Sequence, residues 1–433
     1  MSVVKFVTAC ALSSAALTAH VIGAPISTAP STDPVIQWNR SLLTIVRTPG
    51  AQPATIHPTR SFAILHAAIY DAVNAIDQTH ESYAVRFSSV SRQASQAAAA
   101  DAAAHDVLVT LYPGLSSSLD TTLQQSLTLV PDGVAKNEGI RIGQTVAQAI
   151  LSLRSNDGAN QAPLPYVFGT APGDYQSTPP NFPKQPQFTH WRNVTPFALK
   201  RADQFRPGGP PSLTSDRYAD DVNEVQSLGV SGGTIATPDE ALTGRFWNGA
   251  IQNYWNEIAQ TASLDRHLTI PQEARLFALL NISFADSVIA FYDAKYTYNR
   301  WRPVTAIRAG GTDDNPETTP DANWLPEVGN TPPDPAYPGA HAVISAAAAA
   351  ILTAVLHRDH LEFAVTSEVL PGVERSFASL SAAADEATQS RIFAGVHFRS
   401  DLTSGHRLGR DVADFVLDHF LTRRHGRDED DVR

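Results

Sequence analysis

The side chains of this sequence best able to do chemistry together are Lys295, Arg302, His341, Arg391 and His397. They come from three separated stretches. If those stretches fold inward, three cations and two imidazoles suit a small tetrahedral oxyanion, because preorganised positive donors stabilise its charge. Lys295 and Arg302 are seven residues apart, just before Pro303. On a continuous helix, seven steps of about 100° bring Arg302 to within about 20° of Lys295, roughly two turns along. Both cations are then expected on one face, with Pro303 ending the helix at Arg302. Taken alone, the pair reads equally as a like-charged surface pair.

The second stretch is Tyr337, Pro338, Gly339, Ala340 and His341, directly before the alanine-rich run 342–355. Proline and small residues at a helix start leave backbone N–H groups uncovered, and the helix dipole favours an anion there. An imidazole at that mouth can move a proton to or from a bound oxyanion. The plainer alternative is an ordinary helix start with a polar histidine. The third stretch holds Ser390, Arg391, His397 and Asp401. His397 and Asp401, four apart on one helical face, would let the carboxylate hold one imidazole nitrogen and free the other. Arg391 and His397 are about 240° apart on a helix, so their convergence needs a break, expected at Gly395. A His with an Asp four later also suits a divalent metal such as zinc, but three nearby cations would repel one.

Positioning these residues falls to helices. Apolar residues recur at helical spacing over 60–77, 139–154, 238–262, 271–302, 340–357, 375–397 and 401–422, and alanine content favours helix over 93–111. Strand alternation is scarce. Residues 158–237 are rich in Pro, Gly, Ser and Thr, with one short helix expected near 215–228. An all-α chain of two helical bundles is expected: 25–157, then a Pro-rich wrapped connection over 158–237, then 238–422, followed by a charged tail at 423–433. Residues 310–336, between the first two motifs, read as a loop over the mouth of the site and a candidate lid.

At 433 residues and 43% apolar content, the chain can bury a large core. A net charge of -11 argues against nucleic-acid binding, yet a few cations focused in a cleft can still hold an anion. Residues 1–24 read as an export signal: Lys5 precedes the apolar and small-residue run Phe6 to Ala24. Cleavage after Ala19 is an alternative to Ala24, since Pro25 follows the latter, and an ordinary N-terminal helix is the alternative to a signal. Export would leave a mature chain without its one cysteine, Cys10, and hence without disulfides or thiolate metal sites. No later run reaches the roughly 18 apolar residues of a membrane span. A soluble, secreted or periplasmic protein is expected.

In order, Lys295, Arg302, Pro303, Pro338, His341, Ser390, Arg391, His397 and Asp401 resemble the three-part signature of the superfamily of vanadium-dependent haloperoxidases and type 2 phosphatidic acid phosphatases. The wider chain is similar to the soluble bacterial haloperoxidase-like branch. The resemblance implies a four-helix-bundle core, doubled in the haloperoxidases, and a vanadate cofactor. It implies that His397 is the axial ligand of the metal, or the nucleophile in a phosphatase. Lys295, Arg302 and Arg391, with Gly339 and Ala340, would hold the equatorial oxygens, and the three cations suit a trianion. His341 would be the acid–base residue, Asp401 the partner of His397, and Lys295 the group that polarises hydrogen peroxide. Peroxide, a halide and a small organic acceptor are the implied partners, with a homodimer left open.

Three positions depart from the family pattern. Gly339 and Ala340 stand where serine and glycine are usual, removing one hydroxyl bond worth about 1–3 kcal/mol. Asp334 replaces a phenylalanine of chloride-oxidising relatives, and Tyr292 a tryptophan. An acid at the site would repel halide, so bromide or iodide is expected over chloride. A secreted acid phosphatase on the same scaffold, and a non-catalytic binding protein with a degraded second motif, are the alternatives.

Overall fold

The computed structural model describes residues 33–424. The expected export segment 1–24 and residues 425–433 of the charged tail lie outside the described residues. In chain order the elements are α1 (Pro34–Arg47), α2 (Pro58–Asp77), α3 (Gln96–Leu111), α4 (Ser116–Leu127), α5 (Val134–Arg154), α6 (Asp216–Leu228), α7 (Pro238–Phe246), α8 (Ile251–Asp265), α9 (Ile270–Tyr298), α10 (Pro303–Arg308), α11 (Ala340–Leu356), β1 (His360–Thr366), β2 (Glu374–Ser379), α12 (Leu380–Phe393) and α13 (Arg399–His419). Between α5 and α6, the chain forms a single 3-10 turn at Trp191–Asn193 and otherwise wraps without helix.

The helices start where local chemistry allows. Asp33 caps α1 by accepting from Val35 N at 2.8 Å and Ile36 N at 3.2 Å, ahead of Pro34. α9 starts behind a capping box of Thr269 and Gln272, and is buried on nearly every side. It is the described helix long and apolar enough to cross a membrane, but 94% of that stretch is buried inside the protein. Its composition therefore reflects a central core helix.

Two halves repeat one arrangement. α2 and α9 share the pattern Arg60, Phe62, Ala63, Leu65, Asp71, Val73, Ala75 and Arg275, Phe277, Ala278, Leu280, Asp286, Val288, Ala290. Each buried aspartate gathers three backbone amides from a loop: Asp71 those of Tyr83, Ala84 and Val85, Asp286 those of Phe197, Ala198 and Leu199. Trp38-Asn39 of α1 answers to Trp255-Asn256 of α8, and each tryptophan N–H is satisfied, by Asp101 and Ser345 respectively. Alanine-rich α3 packs on α5 and alanine-rich α11 on α13. Gly143 and Gly409 lie so close to the facing helix backbone that a Cβ at either would collide with a carbonyl. One apolar cluster runs from Val35 to Leu421 and takes in helices of both halves.

At the junction of the halves, Asn39 reaches both Asn256 and the His66 ring at 2.8 Å, and Asn256 pairs with Asn281. Burial pushes the His66 imidazole down to about 3. It is therefore neutral when folded, whereas the unfolded chain takes up its proton near pH 6.5, so stability falls as pH drops below 6.5. His66→Asn, which copies Asn281, is expected to remove that acid sensitivity. Its melting temperature relative to the parent should rise steadily from pH 7 to pH 4.

Several sequence expectations are corrected. The helix expected over 375–397 begins as strand β2, paired antiparallel with β1, and becomes helical only in α12. The chain turns at Gly372, whose φ is +85°, and side chains of β2 alternate inward and outward. The helix expected over 238–262 is broken between α7 and α8, and α9 stops at Tyr298 rather than Arg302. Of residues 310–336, the first part packs on α6 and α10: Trp324 Nε1 donates to Gln226 O, and the Glu317 carbonyl accepts from Asn223. Its end, at Pro332 and Asp334, lines the cavity described next.

Candidate active site

Lys295 projects from the last turn of α9, which Asn299 closes in the left-handed conformation at φ 47°. Arg302 is then an extended residue, φ -85° and ψ 157°, capping α10 ahead of Pro303. The two cations thus converge across a helix break, and not along one helical face as their spacing predicts. His341 lies in the first turn of α11. α12 ends just after Arg391, and Gly395, at φ +78°, reverses the chain to bring His397 back, confirming the expected break. A side chain at Gly395 would collide with the backbone of Gly229. His397 precedes α13 and Asp401 lies in its first turn, so their contact comes from a helix start, not a shared helical face.

These side chains meet around one cavity of about 300 Å³. Its walls include Lys295, Arg302, Ala340, His341, Arg391, His397 and Asp334, together with Phe188, Phe291, Tyr292 and Ile344. Arg302 donates to His397 Nε2 at 3.1 Å, to the carbonyls of Val396 and Asp334 at 2.8 Å each, and to the Asp334 carboxylate. Lys295 donates to Asp334 Oδ1 at 3.1 Å and to the carbonyls of Pro335 and Ala336. Among the described residues Arg391 donates to Asn248 Oδ1 at 3.2 Å, while its buried Nε and NH1 have no partner there. Buried guanidinium donors without acceptors are costly, so this arrangement fits an anion arriving from the cavity.

The histidines are in defined states. Arg302, which can only donate, lies 3.1 Å from His397 Nε2, so that nitrogen holds the lone pair, and Nδ1 carries the proton that it donates to Asp401 Oδ2 at 3.1 Å. His341 Nε2 lies 2.8 Å from the Trp247 carbonyl and must donate to it, leaving Nδ1 basic. Burial first, then Arg391 at His341 and Arg302 at His397, hold both imidazoles well below their ordinary range. Both are neutral. Burial also pulls Lys295 down, against the attraction of Asp334, and lowers Arg391 to about 9. Burial alone would raise the Asp334 carboxyl, but Lys295 and Arg302 outweigh it and hold it below its usual value. Asp334 thus cancels one of the three positive charges, and the balance shifts from a trianion toward an anion of lower charge.

Gly339 and Ala340 divide. The Gly339 N–H is committed to the Asp401 carbonyl at 3.0 Å, whereas Ala340 lines the cavity at an N-terminus with no side-chain cap. Gly339 has φ -76°, open to any residue, and its Cβ would meet only the flexible Leu402 Cδ2 at 2.9 Å. Gly339→Ser, made with Leu402→Val for room, is expected to tighten oxyanion binding about tenfold, the worth of one charge-assisted bond. Titration calorimetry with orthovanadate checks this; unchanged affinity means the α11 amides already satisfy that edge of the anion. Ser390, part of the third motif, turns its hydroxyl back to the Ala387 carbonyl at 2.7 Å.

Sequence reasoning missed Trp247 and Asn248, which orient His341 and Arg391 from the break between α7 and α8. It also missed Gln187, which donates to Asp334 Oδ2 at 3.1 Å, and His57, which caps α2 at the cavity wall. No motif marks any of them.

The molecule's likenesses agree with this geometry. A family model for the VCPO second helical-bundle domain matches residues 275–426. Vanadium chloroperoxidase of Curvularia inaequalis is 25% identical over 399 residues, covering 73% of this chain and 64% of that protein. The chain thus spans less than two thirds of that relative. A crystal structure described as the first bacterial vanadium-dependent iodoperoxidase superposes with a TM-score of 0.74 at 26% identity, covering 90% of this chain and 96% of the other. A holo-type bacterial vanadium-dependent chloroperoxidase superposes at 0.63 with 16% identity, over 87% of this chain and 94% of the other, a likeness of fold alone. The protein has the fold of the vanadium haloperoxidases, and its residues 275–426 match the family model of the VCPO second helical-bundle domain.

Proposed function

We propose that this chain is a vanadate-dependent peroxidase that oxidises halide, bromide or iodide in preference to chloride, with hydrogen peroxide. The observation that carries this reading is Arg391, whose two buried donor nitrogens without a partner among the described residues share a cavity with Lys295, Arg302, His341 and His397. Bound vanadate would supply the Lewis acidity that activates peroxide toward halide. His397 offers one neutral nitrogen to the metal, held in its tautomer by Asp401. Arg391 and the first turn of α11 would bind the oxygens, Arg302 would brace His397, and Lys295 would polarise the peroxide. His341, neutral and with Nδ1 free, would take the peroxide proton and return it to the leaving oxygen. The apolar wall of Phe188, Phe291, Tyr292 and Ile344 excludes water and gives a small organic acceptor a place beside the anion. The Asp334 charge weighs against chloride, the most strongly hydrated of the three halides, and the iodoperoxidase likeness points the same way.

Purified protein reconstituted with orthovanadate should halogenate an acceptor with bromide or iodide and peroxide. Hydrolysis of p-nitrophenyl phosphate by the apoprotein, without any halogenation, would replace this reading with that of a phosphatase using His397 as nucleophile. Silence in both assays, with no vanadate bound, would point to a binding protein. His341→Ala is expected to leave vanadate affinity within about threefold while lowering kcat by about 10²–10⁴, the usual contribution of a positioned acid–base group. Full turnover would remove His341 from proton transfer.

A further inference from the structure

Asp334 is an unexpected neighbour for an anion. It is 4% exposed, lines the cavity, and forms ion pairs with both Lys295 and Arg302. Its Oδ1 is saturated by those two cations, whereas Gln187 is the one protein donor to Oδ2 among the described residues. A carboxylate oxygen has two acceptor positions, so Oδ2 keeps one for a guest. An ionised carboxylate can accept but not donate. A bare oxyanion oxygen placed against it is repelled, while one that carries a proton makes a short, charge-assisted O–H···O⁻ bond.

We propose that Asp334 makes this site selective for oxyanions that keep a proton at neutral pH, such as hydrogen phosphate, hydrogen arsenate and the protonated vanadates, against fully ionised anions of the same shape such as sulfate and selenate. The inference deepens the oxyanion reading of the site and rests on it. Charge alone does not give this selectivity, because hydrogen phosphate and sulfate are both dianions of similar size. The discrimination resides in one proton and one ionised acceptor, which outweighs the neutral imidazoles of His341 and His397 because a charged partner makes the stronger bond. A site missing a hydrogen-bond donor or acceptor at such a position distinguishes the two far less than one left with opposed lone pairs.

Titration calorimetry of the full chain, freed of bound anion, with phosphate, arsenate, sulfate and selenate at pH 7 tests it. Phosphate and arsenate are expected to bind at least tenfold more tightly than sulfate and selenate. In Asp334→Asn, whose amide can donate to a bare oxygen, the ratio should fall toward one through a gain in sulfate affinity. Equal binding of all four by the parent protein, or a ratio unchanged in the variant, would overturn the proposal while leaving an oxyanion site intact. Binding of none would remove the oxyanion reading too. Should that variant fail to fold, Asp334→Ser, which removes the carboxylate and keeps a hydroxyl able to donate, is read by the same ratio, which should again fall toward one.

Discussion

His397→Ala is expected to abolish orthovanadate binding, weakening it by more than about 100-fold, since altering even an outer partner of a metal ligand costs 10- to 100-fold. Inorganic phosphate, held through its oxygens and without a dative bond from the ring nitrogen, should lose far less. The contrast follows from the placement of His397: Nδ1 is tied to Asp401, and Nε2 holds at the cavity a lone pair that accepts from Arg302 at 3.1 Å and that a metal would take over. Equilibrium dialysis with both anions and ⁵¹V NMR measure it. Unchanged vanadate affinity would refute the axial role; equal losses of both anions would make His397 a general anion contact. Because burial and Arg302 keep the imidazole deprotonated well below pH 6.5, vanadate affinity of the parent should not decline as pH falls through 6.5. It would fall there if His397 titrated like an ordinary histidine.

Arg391→Met should give two effects of opposite sign. The guanidinium is 1% exposed, and its Nε and NH1 are without partners. Charge-assisted bonds contribute about 1.5–3 kcal/mol each, so losing two should weaken orthovanadate and phosphate binding by about 10²–10⁴. The anion-free protein, by contrast, should become more stable, because a buried charge lacking an acceptor is replaced by an apolar chain of similar length. Calorimetry of anion binding and thermal denaturation of the anion-free protein test the two halves. A lower melting temperature for the variant would mean that Arg391 stabilises the fold through its bond to Asn248 rather than waiting for a guest. Such a trade of stability for binding is expected of a functional site.

The repeated arrangement explains why only one half carries this chemistry. α2 and α9 share their buried aspartate and apolar pattern, but the position of α9 that bears Lys295 has no cationic counterpart in the first half, where the chain has left α2 and reached His80. The duplicated bundle buries α9 on every side. That burial lowers the local dielectric around Lys295, Arg302 and Arg391, strengthening their hold on any charge that enters.

Much of this was legible in one dimension. Helical periodicity marked α2, α5, α9, α11 and α13, and residue type with spacing singled out Lys295, Arg302, His341, Arg391 and His397. Gly395 was legible as the break, since Arg391 and His397 cannot share one helical face. The internal repeat was present too, though its matching residues lie too far apart for a period search to find. α1 escaped notice although its Asp33-Pro34 start and the apolar face of Val35, Ile36, Trp38, Leu42, Leu43 and Ile45 mark a helix.

What the sequence by itself determined is the set of charged and imidazole groups, and that helices carry or flank them, because residue type and period are local properties. The tertiary structure alone decided how they converge: across the break after Tyr298 and from helix starts, not along shared faces. It alone placed Asp334 on Lys295 and Arg302, brought Trp247 and Asn248 to His341 and Arg391, and left two Arg391 donors without acceptors. Contacts between distant segments, and the desolvation that sets each group's charge, depend on which surfaces the folded chain brings together. No local pattern encodes them.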